Sequence, residues 1–162
     1  MTKRCIAEYT RAEFDTLRKR LENARDALRA GNCLLQSLAR AYYIVFVTAS
    51  FAAKKYDIKA THWRERERVT NQDFSHNELP DVVYALYCGG KRGNISDPGS
   101  SPGIGSGNYT EHEAYRNSDT LYLMRIEADY GPSIALEPYS AAKADSTLEM
   151  ANKLTDDLER LL

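Results

Sequence analysis

The chain has little of the cysteine and histidine that disulfide frameworks and metal sites need. Its 162 residues include three cysteines and three histidines. The cysteines, Cys5, Cys33 and Cys88, are widely spaced and form no C-x-x-C pair, and the histidines form no H-x-x-x-H pair. This pattern predicts three reduced thiols, no metal site and no cofactor.

The chain also lacks an excess of charge of either sign and a long uninterrupted apolar run. Its net charge of −1 implies no attraction of the whole molecule to nucleic acid or to a membrane, so any basic surface must be local. Arg40 divides the longest apolar stretch, and the first ten residues contain no apolar signal core. We therefore expect a soluble, cytoplasmic protein with no membrane partner.

Glycine and proline are scarce outside one segment, and helical patterns occupy most of the remaining chain. The most apolar pattern runs from Leu34 to Tyr56, with apolar residues at steps of three and four and on a second face. It predicts a central helix that is enclosed by its neighbours. Capping boxes at Thr10 and Thr110 and a capping serine at Ser140 predict the starts of three other helices, and Pro80 opens a shorter one.

These helices predict an all-α fold, an antiparallel bundle of four to five helices in a single domain over residues 1–162. No strand pair is evident. The alternating charges of residues 64–68 predict an exposed helix, and residues 133–139 predict an extended link. Residues 89–108 hold seven of the nine glycines and two of the five prolines. They predict a flexible inserted loop without regular structure, and they match no phosphate-binding P-loop.

Three short segments stand out by their order and spacing. The first is Arg40-Ala41-Tyr42-Tyr43 followed by Phe46 and Ala49, the second is Thr61-His62, and the third is R-I-E-A-D-Y at residues 125–130. Together they resemble one branch of the HEPN superfamily, the small helical domains of prokaryotic toxin–antitoxin and defence systems. The resemblance extends over residues 32–162, and the insertion at residues 80–108 departs from it.

The resemblance implies a protein that acts on RNA, usually as a homodimer and without a metal. Catalytic members carry an Arg, four to six further residues and then a His, and none of His62, His76 and His112 follows an arginine at that distance. The standard motif is therefore absent. The remaining catalytic candidates are Arg125, Asp129 and His62, with Arg125 as the cation that stabilises a phosphate and His62 as the base.

A second set of residues is predicted to bind rather than to react. The candidates for binding RNA or a nucleotide are Arg40, Tyr42, Tyr43 and Tyr130. Tyrosine rings can stack on bases. Arg40 needs a carboxylate or solvent, and we expect it to share a pocket with Glu127 and Asp129. The alternative is that Arg40, Arg125 and Asp129 form a structural polar network within the bundle.

Two functions remain open from the sequence. In the first, the protein binds RNA or a nucleotide in a toxin–antitoxin or defence system and has a ribonuclease activity that does not use the usual motif. In the second, it is a non-catalytic module that docks a partner such as a nucleotidyltransferase-type protein. The absent Arg–His motif favours the second, whereas the polar residues and tyrosines favour the first. An unrelated four-helix scaffold is a third interpretation.

Overall fold

A computed structural model describes residues 5–89, 92–96, 102–105, 107–131 and 140–162. The α-helices are α1 (Arg11–Ala30), α2 (Leu34–Lys55), α3 (Leu79–Cys88), α4 (Glu111–Tyr130) and α5 (Ala141–Glu159). The strands are β1 (Lys59–Arg64), β2 (Glu67–Asn71) and β3 (Ile95–Ser96). Short 3₁₀ turns at Ile6–Glu8 and His76–Glu78 precede α1 and α3.

The prediction of an all-α bundle is wrong, because a three-stranded antiparallel sheet accompanies the helices and makes the fold mixed α and β. The strand order is β2-β1-β3. The residues that were expected to form an exposed charged helix form the β1–β2 hairpin instead. Its two-residue turn is Glu65-Arg66, with φ angles of 49° and 72°. Two left-handed residues in succession are typical of a type I′ turn, which matches the twist of the strands it joins.

The glycine-rich segment contributes the third strand of this sheet. Ile95 lies opposite Ala60 of β1, and both side chains are fully buried. The expectation that residues 89–108 contain no regular element is therefore wrong for Ile95–Ser96. The rest of that prediction falls partly on residues 90–91, 97–101 and 106, which lie outside the described residues, as does the predicted link at 133–139.

Helix α2 is the centre of the fold, as predicted. It packs against all four other α-helices, and its inward side chains, among them Leu38 and Val45, are fully buried. By length and composition α2 could also cross a membrane, but 67% of its most apolar window is buried inside the protein. That burial is consistent with the core helix of a soluble protein.

The predicted helix caps are confirmed. The Thr10 hydroxyl accepts a hydrogen bond from the Glu13 backbone N–H at 3.2 Å, and the Glu13 carboxylate accepts one from the Thr10 N–H at 2.8 Å. Thr110 and Glu113 repeat this arrangement at the start of α4. Ser140 caps α5 through its side chain. These capping bonds, which are reciprocal at Thr10 and Thr110, satisfy backbone donors that a helix start otherwise leaves unpaired.

A buried carboxylate ties the glycine-rich segment to the helices. Asp157 of α5 has no exposed surface, and it accepts hydrogen bonds from the Tyr87 hydroxyl at 2.6 Å and from the Asn108 backbone N–H at 2.8 Å. The Asn108 side-chain amide donates a further bond at 2.9 Å. A Cβ atom at Gly107 would lie 2.7 Å from the same carboxylate, so this close approach requires glycine.

Removing this carboxylate should destabilise the fold strongly. We expect Asp157→Ala to lower the free energy of unfolding by about 3 kcal/mol, because the buried Tyr87 hydroxyl and the Asn108 N–H would both lose their acceptor. Its neighbour Asp156 is exposed, so Asp156→Ala should change stability by less than about 0.5 kcal/mol. Urea unfolding of both variants checks this, and equal losses would contradict the role assigned to Asp157.

The hairpin turn gives a test of the sheet itself. Replacing Glu65-Arg66 by Asn-Gly should raise the free energy of unfolding by about 1 kcal/mol, because both positions have positive φ and Asn-Gly adopts them with less strain. Glu67→Gly, one residue later in β2, should lower it instead, since glycine weakens a regular strand. Thermal unfolding distinguishes these results. A loss of stability in the Asn-Gly variant would argue against the hairpin.

Candidate functional site

An open groove of about 540 Å³ lies between the start of the chain, α1, α2 and the loop before α3, and Arg125 of α4 reaches into it. We call it the Arg–Tyr groove. Its lining residues are Cys5, Ile6, Tyr9, Leu17, Leu21, Arg40, Tyr43, Phe46, Val47, Asp73, Phe74, His76 and Arg125. Polar and basic groups therefore stand beside an apolar wall, a combination that suits a ligand with a charged part and a flat apolar part.

Tyr43 lies between the two arginines of the groove. Its ring centroid is 6.0 Å from the Arg40 guanidinium carbon and 5.6 Å from that of Arg125, within the range of cation–π contacts. Its hydroxyl accepts hydrogen bonds from Arg125 Nε at 3.2 Å and Nη2 at 3.0 Å. The same hydroxyl donates to Asp129 Oδ2 at 3.4 Å. Tyr43 thus holds Arg125 in one orientation.

The two arginines differ in their charge partners. Arg125 Nε forms an ion pair with Asp129 Oδ2 at 2.9 Å, one turn along α4, and its side chain is only 11% exposed. Arg40 is exposed, and no carboxylate of the described residues lies within ion-pair distance of it. The predicted pairing of Arg40 with Glu127 and Asp129 is therefore not what the structure shows. Arg40 is left available to an anion from outside.

The predicted binding tyrosines divide into one that is buried and two that are accessible. Tyr42 has no exposed surface, and its hydroxyl lies 2.8 Å from His76 Nδ1 and donates to the His76 carbonyl at 3.3 Å. Its ring therefore offers no face to a base. Burial raises the pKa of Tyr42, so its hydroxyl keeps its proton. Tyr43 lines the groove, and Tyr130 is 71% exposed with its ring 5.3 Å from the Arg125 guanidinium.

His62 lies apart from the groove. It sits on the inward face of β1, with Nδ1 3.4 Å from the buried Glu78 carboxylate. Its Nε2 atom is buried without a hydrogen-bond partner among the residues that the structure describes. The structure thus does not bring His62 to Arg125 and Asp129. The histidine that lines the groove is His76. No role for it could be predicted from the sequence, because its contact with Tyr42 joins residues that are far apart in the chain.

Comparison of the chain with protein-family models, with curated proteins and with solved structures finds no match. The resemblance to the HEPN superfamily, and every role that it implies, therefore stays a prediction. Within the described ranges, no three His, Cys, Asp or Glu side chains are arranged to hold a metal ion.

The Tyr42–His76 bond predicts that Tyr42 supports the groove from behind. We expect Tyr42→Phe to lower the free energy of unfolding by about 1 kcal/mol, because it keeps the buried ring and removes one hydrogen bond. Tyr130→Phe, at an exposed ring, should change stability by less than about 0.5 kcal/mol. Chemical denaturation measures both. The ¹⁵N shifts of the His76 ring should move in the Tyr42→Phe variant, and unchanged shifts would contradict the bond.

Proposed function

We propose that this protein binds single-stranded RNA, or a nucleotide of the same chemistry, in the Arg–Tyr groove. The observation that carries the proposal is Arg40, an exposed arginine on a mostly buried helix, with no carboxylate partner among the described residues and a tyrosine ring beside it. Arginine is suited to phosphate recognition, because its planar fork can donate two parallel hydrogen bonds to phosphate oxygens.

The remaining side chains of the groove fit the other parts of a nucleotide. Tyr43 lines the groove, and the exposed Tyr130 lies beside Arg125 but outside that lining. Bases stack on such accessible rings with little sequence preference. Arg125 is already paired with Asp129, so it supplies a fixed, partly neutralised guanidinium rather than a free charge. The apolar wall, which includes Leu17 and Phe74, provides a surface for a base or the face of a ribose.

The ribonuclease activity that the resemblance implies would depend on a different histidine from the one predicted. Cleavage without a metal needs a group that moves the proton of the 2′-hydroxyl and a cation that stabilises the phosphate. His76 and Arg40 both line the groove, whereas His62 does not. We therefore propose His76 in place of His62 as the histidine of any such reaction.

The biological setting comes from the resemblance alone. On that basis we propose a cytoplasmic protein of a prokaryotic toxin–antitoxin or defence system that acts as a homodimer. The second function, docking of a nucleotidyltransferase-type partner, uses the same groove through its apolar wall. It is the outcome that remains if RNA does not bind.

The proposal is tested by RNA binding to matched variants. Fluorescence anisotropy of a labelled oligouridine of about twelve nucleotides measures the affinity. Arg40→Ala should weaken binding about fivefold, which corresponds to roughly 1 kcal/mol, and it should lower the slope of log K against log salt by about 0.7. Arg40→Lys should recover the salt slope, because it restores the charge, but only part of the affinity.

The control for Arg40→Ala is Lys19→Ala, which removes the same charge from an α1 side chain that is 71% exposed. If both variants lose the same affinity, a local site at Arg40 is contradicted. A cleavage assay in EDTA, with His76→Ala beside the native protein, tests the ribonuclease part. RNA that neither binds nor is cleaved would rule out the first function and leave partner docking.

A further inference from the structure

The outer face of the three-stranded sheet is a second surface, separate from the Arg–Tyr groove, that does not pack against the core of the protein. Thr61 and Trp63 of β1 lie opposite Thr70 and Arg68 of β2 in the antiparallel register. Since side chains alternate along a strand, these four project from one face. The other face includes the fully buried Ala60. The outer face is therefore the surface of the sheet that the core leaves to solvent.

Trp63 is 76% exposed on this face. Tryptophan is the largest aromatic side chain, and when it is left in water its ring gains nothing from folding. The adjacent cleft of about 370 Å³ is lined by Trp63, Arg68 and the polar residues Thr61, Thr70, Asn94 and Ser96, together with a glycine. An indole ring thus borders a cleft that is otherwise mainly polar.

The charge of this cleft indicates an anionic ligand. None of its described lining residues is acidic, and Arg68 is the charged one. Arg68 forms no ion pair with any residue that the structure describes. A cleft with one uncompensated guanidinium, hydroxyl and amide groups and an exposed indole is complementary to an anion that carries a flat ring and hydrogen-bonding groups.

We propose that the outer face of the sheet binds one nucleotide of a single-stranded RNA. The base stacks on Trp63, the phosphate meets Arg68, and the cleft side chains Asn94 and Ser96 supply hydrogen bonds to the base edge or the ribose. Sheets that present aromatic rings to solvent bind single strands in this manner. The inference shares its ligand class with the proposed function and rests on it for that class, but it uses a different surface.

The chain offers a direct probe of this surface, because Trp63 is its one tryptophan. Stacking of a base on the indole quenches its emission, so a fluorescence titration with unlabelled oligouridine reports on this site alone. We expect saturable quenching in the native protein. Arg68→Ala should shift the quenching curve to about tenfold higher RNA concentration, whereas Lys19→Ala should leave it unchanged within about twofold.

Substitution of the ring is measured by anisotropy of the labelled RNA. Trp63→Ala should weaken binding about tenfold, in line with the loss of one stacked base, and Trp63→Tyr should restore most of it. Leu123, which is 57% exposed on α4, provides the control: Leu123→Ala removes an exposed apolar side chain and should not change the affinity. Circular dichroism checks that each variant keeps its fold.

Different experimental results would contradict the proposed groove site and the proposed sheet site. If anisotropy shows binding that depends on Arg40 while Trp63 emission does not change, the inference about the sheet is overturned and the proposed function stands. If emission is quenched and Arg40→Ala binds like Lys19→Ala, the sheet site stands and the groove does not. Without binding in either assay, both fail. Emission that responds to an uncharged oligosaccharide, and not to RNA, overturns the nucleotide in favour of a sugar.

Discussion

The burial of α2 against the other four helices is the constraint on which the candidate site depends. A helix that is held on most of its circumference cannot rotate, so each of its side chains has a fixed environment. Arg40 and Tyr43 are three residues apart and therefore lie on the same side of α2, where both line the groove. Tyr42, one residue earlier than Tyr43, points into the core instead.

This arrangement separates a supporting residue from binding residues within one short motif. Tyr42 is enclosed and contacts His76 from the core side, while Tyr43 contacts Arg125 and Asp129 across the helix interface. The groove is consequently assembled from the start of the chain, α1, α2, α4 and the loop before α3, and α2 packs against both α1 and α4. A substitution in the core behind Tyr42 would therefore alter the groove by shifting the His76 ring, which Tyr42 contacts.

Polar side chains, together with the buried Ile95 and Ile104, hold the irregular part of the chain in place. Arg92 lies 4.6 Å from the ring centroid of Tyr84 and 4.1 Å from that of Tyr115, and it pairs with Asp81 at 3.3 Å. Burial raises the pKa of the Asp81 carboxyl, although the Arg92 charge opposes this. Together with Asp157, this cluster attaches the glycine-rich segment to α3, α4 and α5, so that β3 can extend the sheet.

How far the fold can be predicted from the sequence depends on whether its signals are local. The helices could be located from their capping residues and apolar periods, because both act within a few residues. The hairpin was missed because its turn carries Glu65 and Arg66 where Asn-Gly would have been recognised. The pairing of Arg125 with Asp129 is local and follows from their spacing on one helix. The link between Tyr43 and Arg125 and the place of His76 depend instead on contacts between distant segments, on which a single sequence carries no local signal.

Charge pairing decides which arginines are available for binding. Along α1, Arg11 pairs with Asp15, Arg18 with Glu22 and Glu159, Arg25 with Asp26, and Arg29 with Asp145. Most of the basic residues of α1 are thus paired within the protein. Arg40 and Arg68 have no such partner among the described residues, and each stands beside an aromatic ring of a different cleft. Because each of the two clefts offers one such guanidinium, each site contributes about one electrostatic contact to phosphate, so stacking must supply much of the binding free energy.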